Sequence, residues 1–244
     1  MPSPSPVRLK SGTQSLAGIE LLKPLTPAER QTLERRCRWR SFDEGEQIFD
    51  RETQSEDVFF VISGTARVVN YSPGGREVSY DDIGPGGLFG ELAALDNRPR
   101  SASVVAKTDM ATASLTAAAF REVLLQHPPI AMALLRRLAE VVRESTDRIM
   151  DLSTLGAHNR IFAELLRLAR DSDPKAFEQH ANQARIRPVP HHVEIASRVS
   201  TARETVARVL SDLSKNGVVG RERDAMVLLD IGRLAKMVKE FKLE

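Results

Sequence analysis

The chain has 244 residues, of which 41% are apolar, 28% charged and 5% aromatic. This composition allows one large domain or two smaller ones with hydrophobic cores, and it excludes a disordered or fibrous chain. A single cysteine, Cys37, excludes an intrachain disulfide framework and any zinc site or cluster that needs several thiolates. No apolar run approaches the roughly 20 residues of a membrane span, and the start lacks the apolar core of a secretory signal, so we expect a cytoplasmic protein with no membrane partner.

Positive and negative charges nearly balance over the whole chain, but they are unevenly distributed between its N-terminal and C-terminal parts. Lys and Arg number 35 and Asp and Glu 33, which gives a net charge of +2. After Gly156 there are 16 basic and 12 acidic side chains, against 19 and 21 up to that residue. A basic C-terminal part is typical of nucleic-acid binding, but ordinary scatter explains so small a difference equally well, and the motifs have to decide.

The first predicted elements follow a stretch rich in Pro, Ser and Gly, residues 1–18, which we interpret as a flexible tail. Thr26, Pro27 and Glu29 then form a helix-start signal, with an N-cap, a proline in the first helical position and the second half of a capping box. The pattern predicts a helix from Pro27 to about Arg38.

From Trp39 to about Thr116 the sequence consists of short β-branched and aromatic runs separated by turn residues. Two of these runs, 58–62 and 66–69, end at turns that contain glycine. Strands so short and so regularly spaced predict a small antiparallel barrel or roll.

A helical period begins after Ala117 and predicts a long helix from about Pro129 to Leu155. Its apolar residues recur at three-, four- and seven-residue steps: Leu134, Leu138, Val141, Val142, Ile149 and Leu152. This stripe either packs wholly on its own roll or pairs with its copy in a second subunit. We favour the second explanation, and hence a homodimer, because the helix is too long for one small roll to cover.

The remainder of the chain alternates helical and polar stretches. The patterns predict a helix over 159–170, a loop or hairpin over 171–190, and short helices with a strand-like run at 226–229. The predicted fold class is therefore α+β. After the tail, three parts are predicted: a β-roll domain at 19–128, a dimerisation helix at 129–155 and a C-terminal domain at 156–244.

A segment in the roll has the parts needed to hold a small cyclic phosphodiester. Gly90 lets the backbone approach a ligand, a short helix after it can present N-terminal amides to an anion, and Arg100 adds a forked set of charged donors. Ser101 can donate to a phosphate oxygen, whereas Glu91, which a phosphate would repel, suits a ribose hydroxyl. A surface ion pair between Glu91 and Arg100 is the simpler alternative.

Near the C-terminus two short helical periods are separated by a polar turn. Small Ala196 permits the two helices to cross closely, and Thr201 can cap the second one. The predicted shared core consists of Ile195, Val199, Val206, Val209 and Leu210. Arg203, Glu204 and Arg208 point outward together on the second helix, as in a DNA-recognition helix. Two packed helices with a solvated charged face are the alternative.

The sequence gives no sign of a metal site or of catalysis. His191 and His192 are adjacent, so they do not share a helix face, and no carboxylate or thiol cluster accompanies them. No Ser-His-Asp or paired-carboxylate pattern is present in sequence context. We expect neither a metal cofactor nor an enzyme.

The string Phe-Gly-Glu-Leu-Ala, followed later by Pro-Arg-Ser-Ala-Ser-Val, resembles the phosphate-binding cassette of cyclic nucleotide-binding domains, including the nine-residue step from Glu91 to Arg100. The resemblance implies that a cyclic nucleotide is the effector. The residues that would hold its sugar-phosphate ring are Gly90, Glu91, Arg100 and Ser101. The implied apolar walls are Val68, Ile83 and Leu92. Ser145-Thr146 on the long helix is similar, in reversed order, to a Thr-Ser pair that contacts the adenine base in the cyclic-AMP receptor family; a solvated turn is the other explanation.

The run Arg-Glu-Thr-Val-x-Arg on the second C-terminal helix resembles the recognition helix of the same family, and 213–219 look like its helix end and the start of its wing. The resemblance implies a winged helix-turn-helix in which Arg203 and Arg208 donate to guanine edges and Glu204 accepts from cytosine. The candidate phosphate contacts are Thr205, Arg198 and Lys215. Ser200 stands where glycine is common in the turn.

Together the resemblances cover the chain from about Gly18 and identify it as a member of the cyclic-AMP receptor protein (CRP/FNR) family. They imply a homodimeric transcription regulator that cyclic AMP, or alternatively cyclic GMP, a cyclic dinucleotide or no effector, shifts to a state competent for double-stranded DNA. The operator would be near-palindromic, with half-sites resembling T-G-T-G-A about 34 Å apart. RNA polymerase is the further partner implied, although residues 171–184, where the family's activator contacts it, have little similarity. A regulated subunit that binds protein instead of DNA stays open, as does, more remotely, an enzyme.

Overall fold

The computed structural model describes residues 14–75 and 77–240. It divides into two compact units, one up to Val141 and one from Val142. This division falls within the long helix, so the boundaries predicted at 128 and 155 stay predictions. Of the predicted tail only 14–18 are described; Leu16 is fully buried there, and the other four residues are exposed.

The first unit consists of short strands followed by helices. It begins with a 3₁₀ helix at Glu20–Leu22 and helix α1 at Pro27–Glu34. Its strands are β1 Arg38–Phe42, β2 Gln47–Phe49, β3 Val58–Ser63, β4 Ala66–Tyr71, β5 Glu77–Ile83, β6 Leu88–Phe89, β7 Ser103–Ala106 and β8 Met110–Leu115. Its other helices are α2 Glu91–Asp96, α3 Ala117–Gln126 and the first half of α4 Pro128–Thr154.

These strands form two antiparallel sheets, in the orders β1-β8-β3-β6 and β2-β7-β4-β5. Successive side chains of a strand point to opposite faces. In β3, Phe59 and Val61 therefore face the roll interior, where they pack with Val104 of the other sheet, while Val58 and Phe60 pack against the helices outside. The predicted antiparallel roll is confirmed.

Helix α1 starts as predicted but ends earlier. The Thr26 amide donates to the Glu29 carboxylate at 2.8 Å, and the Glu29 amide donates back to the Thr26 hydroxyl at 3.3 Å, which completes the capping box. The predicted end at about Arg38 is wrong: the helix ends at Glu34, and Arg38 begins β1 opposite Ser114. Strand pairing with Ser114, which lies far along the chain, here outweighs the local helix propensity.

Helix α4 spans 27 residues, close to the predicted limits. Its first turns belong to the first unit, where Leu134 is buried and Leu138 is partly buried against the outer face of the roll. Farther along, Val142 and Ile149 are each 64% exposed within the chain. An apolar stripe of this size facing water in one chain indicates an interaction surface.

The second unit combines helices with a small sheet. Its elements after α4 are α5 Ala157–Ser172, α6 Pro174–Glu178, β9 Ala184–Ile186, α7 His192–Arg198, α8 Arg203–Lys215, β10 Val219–Arg221, β11 Met226–Leu228 and α9 Ile231–Glu240. The strands pair antiparallel in the order β10-β11-β9. The loop or hairpin predicted over 171–190 is therefore wrong in part, because this segment contains α6 and β9.

Helices α7 and α8 form the predicted helix-turn-helix. All five predicted core residues are buried. Ser200 adopts a φ of 51°, so the turn keeps the left-handed geometry that glycine would favour. The prediction that Thr201 is the N-cap of α8 is wrong, because Thr201 lies one position too early. The N-cap is Ala202, which makes no side-chain capping bond.

Candidate functional site

The cassette connects β6 to β7 through a tight turn, helix α2 and a loop. Gly90 is the N-cap of α2 and has a φ of 83°, a left-handed conformation that L side chains rarely adopt. Helix α2 ends at Asp96, after which the chain returns through Arg100 to β7. The predicted short helix after Gly90 is thus confirmed and spans Glu91–Asp96.

Arg100 is the centre of this segment. It is only 2% exposed. Its guanidinium donates to the Ser55 hydroxyl at 3.0 Å and to the backbone oxygens of Gly90 and Asp57, both at 2.7 Å. These bonds use three of its five N–H groups, and its Cζ lies 4.1 Å from the centre of the Phe49 ring. These bonds fix the position of Arg100, and its remaining N–H groups can still donate to an anion.

The absence of a side chain at Gly90 makes this arrangement possible. A Cβ there would lie 2.7 Å from Arg100 Nη1 and 2.9 Å from the Asp57 oxygen. Only glycine allows the guanidinium to approach the cassette backbone so closely.

Aromatic rings cover the inner side of the site. Phe59 and Phe89 stack with their centres 5.1 Å apart and their planes 4° from parallel, and Phe49 packs on both at 5.8 and 5.9 Å. The Arg100 guanidinium over the Phe49 ring of this cluster forms a cation–π contact. Sequence reasoning missed Phe49 because no local pattern links it to the cassette.

Glu91 occupies the first turn of α2 and is partly buried. Burial raises the pKa of its carboxyl, the charges of Arg137 and Arg100 oppose that shift, and Asp81 adds to it. No ion pair joins Glu91 to Arg100 in the described part of the chain, because Arg100 bonds to backbone oxygens and a serine. The alternative of a surface ion pair is therefore wrong, and Glu91 keeps a carboxylate that can accept from a hydroxyl.

The other predicted nucleotide contacts fall into three groups. Val68 and Ile83 lie on β4 and β5 and belong to the apolar interior of the roll. Leu92 and Ser101 are exposed at the cassette surface. Ser145 and Thr146 are exposed on the part of α4 that belongs to the second unit, where the Thr146 hydroxyl donates to the Val142 oxygen at 2.9 Å. All the predicted nucleotide contacts except this last pair lie in the first unit.

The recognition-helix residues are placed as predicted. Arg203, Glu204 and Arg208 are exposed on α8. Neither arginine forms an ion pair within residues 14–75 and 77–240, so their donors remain available to a partner. Thr205 is half-buried on the same helix, and Lys215 is exposed at its end.

Arg198 is placed differently from these residues. Its side chain is 12% exposed and lies 3.4 Å from the carboxylate of Glu164, which is 1% exposed. Glu164 also pairs with Arg167 at 3.0 Å, and Arg167 pairs with Asp151 at 2.7 Å. Arg198 therefore compensates a buried charge, which a spacing argument could not reveal.

The described residues hold no group of three or more His, Cys, Asp and Glu side chains that could bind a metal ion. None of the helices in the same residues is long and apolar enough to cross a bilayer.

Comparison with known proteins agrees with this geometry. The family model for the cyclic nucleotide-binding domain matches residues 39–127, and that for the Crp-like helix-turn-helix domain matches residues 159–237. A cyclic AMP receptor protein of Thermus thermophilus is 32% identical over 84% of this chain and 89% of its own. A CRP-like cAMP-activated global transcriptional regulator of Mycobacterium tuberculosis is 27% identical over 92% of this chain and 98% of its own.

A solved structure shares the fold. A CooA mutant from Carboxydothermus hydrogenoformans covers 95% of this chain and 98% of its own, with a TM-score of 0.76 and 20% identity. The two domain matches follow one another in the order of the roll and the helix-turn-helix, and the similarity extends over most of each related protein. The chain belongs to the CRP/FNR family of transcription regulators.

Proposed function

We propose that the protein is a homodimer that binds cyclic AMP in each roll and, in that state, binds a near-palindromic DNA site through α8. The observation that carries the proposal is the geometry of the cassette. Arg100 is hydrogen-bonded to the backbone of Gly90, and the Glu91 carboxylate beside them can accept a hydrogen bond. Arg100 and Ser101 would bind the phosphate, Glu91 the ribose hydroxyl, and Val68, Ile83 and Leu92 the apolar parts of the nucleotide. Cyclic AMP is favoured because the relatives named above are cyclic-AMP regulators.

The homodimer is supported by the heptad spacing of α4. The a positions are Leu135, Val142 and Ile149, and the d positions are Leu138, Ser145 and Leu152. Two of the three a positions are β-branched and two of the three d positions are leucine, a pattern that favours a parallel two-stranded coiled coil. In that arrangement Ser145 lies on the helix face that pairs, and Ser145 and Thr146 would meet the nucleotide base from the partner side.

DNA binding is supported by the exposed side chains of α8. Arg203 and Arg208 would donate to guanine edges and Glu204 would accept from cytosine, while Thr205 and Lys215 would contact phosphates. Arg198 is left out of this set because it is paired with Glu164. Nucleotide binding would shift the dimer between two states, of which one places its two recognition helices in successive major grooves about 34 Å apart. Such a regulator acts in the cytoplasm, and RNA polymerase is its expected partner.

Calorimetry with cyclic AMP and with cyclic GMP, followed by DNA titration of each complex, tests the proposal. We expect micromolar or tighter binding of cyclic AMP and stronger binding of DNA by that complex. Preference for cyclic GMP would replace the effector and leave the architecture. Failure of both nucleotides, or DNA binding that neither of them changes, would overturn the effector claim.

The protein-binding and enzyme alternatives have tests of their own. Specific, salt-dependent DNA binding that is lost in Arg203→Ala would exclude a subunit that binds only protein. Turnover of the nucleotide, detected by mass spectrometry after incubation, would overturn the proposal in favour of an enzyme.

A further inference from the structure

We propose that Ser55 is a positioning residue for the nucleotide phosphate: it holds the Arg100 guanidinium in the orientation in which the remaining N–H groups meet the phosphate oxygens. Ser55 lies on the segment 50–57 between β2 and β3, which we call the β2–β3 loop. The inference rests on the proposed function, because it concerns how the cassette holds its ligand.

The β2–β3 loop is bonded to the backbone of Arg100 on both sides of the peptide. The Glu52 amide donates to the Arg100 oxygen at 2.9 Å, and the Arg100 amide donates to the Thr53 oxygen at 3.0 Å. Glu52 has a left-handed φ of 65°, a conformation that an L-residue keeps only where the surrounding contacts hold it. The backbone alone therefore places this loop beside Arg100.

The side chain of Arg100 bonds to the same loop. Its Nε donates to the Ser55 hydroxyl at 3.0 Å, and its Nη2 donates to the Asp57 backbone oxygen at 2.7 Å. The third guanidinium bond runs from Nη1 to the Gly90 oxygen, also at 2.7 Å, and thus to the cassette itself. The guanidinium is therefore held between the cassette on one side and the β2–β3 loop on the other.

Ser55 differs from the other two guanidinium partners. Gly90 and Asp57 accept through backbone oxygens, whereas Ser55 accepts through its side chain. Ser55 is also exposed, while Arg100 is only 2% exposed. Substitution of Ser55 can therefore remove one of the three bonds that orient the buried guanidinium without removing a core side chain.

The chemical consequence concerns which donors face the ligand. The three bonds take one N–H on each guanidinium nitrogen, so that one N–H remains on Nη1 and one on Nη2. Two donors on the terminal nitrogens suit two oxygens of a phosphate. Without the Ser55 oxygen, the buried Nε–H lacks an acceptor, which is unfavourable, and it competes for the phosphate. Ser55 thus determines which phosphate oxygens Arg100 contacts, although it acts on the ligand only through Arg100.

The experiment uses the Rp and Sp phosphorothioates of cyclic AMP, in which sulfur replaces one or the other exocyclic phosphate oxygen. Because sulfur is a weaker acceptor than oxygen, the ratio of the two affinities reports which oxygen Arg100 contacts. Calorimetry on the full-length protein would compare wild type, Ser55→Ala, Ser55→Thr, which keeps a hydroxyl, and Gln54→Ala. The last is a matched control, because Gln54 is the exposed neighbour on the same loop.

We expect wild type to bind the two phosphorothioates with different affinities. Ser55→Ala should weaken cyclic AMP about tenfold, equivalent to ~1.4 kcal/mol, and should bring the two phosphorothioate affinities closer together. Ser55→Thr should restore both properties, and Gln54→Ala should bind all three ligands as wild type does. Circular dichroism would establish that Ser55→Ala is folded.

Three results would overturn the inference: wild-type affinity for cyclic AMP in Ser55→Ala, weaker binding with an unchanged phosphorothioate ratio, or a wild type that does not distinguish the two analogues. The second would mean that Ser55 only stabilises the loop. In each case binding by wild type keeps the proposed function. If wild type binds cyclic GMP instead, the proposed effector is wrong and the phosphorothioates of cyclic GMP test Ser55 in the same way. If wild type binds neither nucleotide, both proposals are overturned.

Discussion

The backbone oxygen of Gly90 accepts a hydrogen bond from Arg100 Nη1 at 2.7 Å, and a Cβ on Gly90 would lie at the same 2.7 Å from that nitrogen. The position of the buried arginine therefore depends on the hydrogen atom that glycine has in place of a side chain.

Gly90→Ala should lower the free energy of unfolding and weaken nucleotide binding. The left-handed backbone alone costs an L-residue about 1–2 kcal/mol, and the methyl group displaces the guanidinium. Urea unfolding and calorimetry would measure the two effects. Gly84→Ala is the control, since a Cβ there meets nothing within 4 Å; equal nucleotide affinity in the two variants would contradict the expectation.

Arg100→Leu should abolish nucleotide-dependent DNA binding. It should also destabilise the first unit, by about 1–3 kcal/mol for each buried oxygen left without a donor, because the Gly90 and Asp57 oxygens lose their partner. Sedimentation and circular dichroism would establish that the variant is still a folded dimer. A folded variant with wild-type affinity for the nucleotide would show that the cassette does not bind it.

Two arginine substitutions should affect different properties: Arg203→Ala should affect DNA recognition, and Arg198→Ala should affect stability. Loss of the exposed Arg203 should weaken specific DNA binding by about 1–3 kcal/mol without changing the urea midpoint. Loss of Arg198 should lower the midpoint, since Glu164 is 1% exposed and loses one of its two arginines. Fluorescence titration with operator DNA and urea unfolding of both variants test these expectations. Weaker DNA binding with an unchanged urea midpoint in Arg198→Ala would return Arg198 to the DNA contacts.

Ile149→Asn should dissociate the dimer while the single chain stays folded. Ile149 is 64% exposed within the chain, so the substitution removes no intrachain core contact. Sedimentation equilibrium would measure the weaker association. Glu140→Gln, an exposed change elsewhere on the same helix, serves as control; unchanged association of Ile149→Asn would argue against pairing through this stripe.

Cys37 should be nearly unreactive in the folded protein. Burial raises the pKa of its thiol to about 12, with Glu34 adding to the shift and Arg36 opposing it. Alkylation at pH 8 should be slow in buffer and fast in urea. Because the unfolded thiol, with a pKa of about 8.5, ionises first, this residue's contribution to stability should be lost as the pH rises from about 9 to 12, and Cys37→Ala should remove that part of the pH dependence.

The local patterns predicted the cassette, the long helix and the helix-turn-helix core, because each is encoded by residues close together in sequence. The predictions were wrong where pairing with a residue distant in sequence determines the secondary structure. Arg38 prefers a strand because Ser114 pairs with it, and Ala184 begins a strand because Leu228 lies opposite.

The site shows the same division. Gly90, Glu91 and Arg100 stand within eleven consecutive residues and could be read as one motif. Phe49 could not be recognised in this way, since only folding brings the centre of its ring to 4.1 Å from Arg100 Cζ. The pairing of Arg198 with Glu164 likewise joins helices that no sequence spacing connects.

Arg160 in the second unit donates to the oxygen of Leu155, just after α4, and also to those of Val199 and Ser200 in the turn before α8. One planar group thus clamps the end of the long helix and the helix-turn-helix corner at a fixed separation. Because one group bonds to both, we expect a displacement of the last turn of α4 to move the helix-turn-helix corner with it. Under the proposed function, a substitution at Arg160 should therefore change the affinity for operator DNA, although Arg160 lies outside the recognition helix.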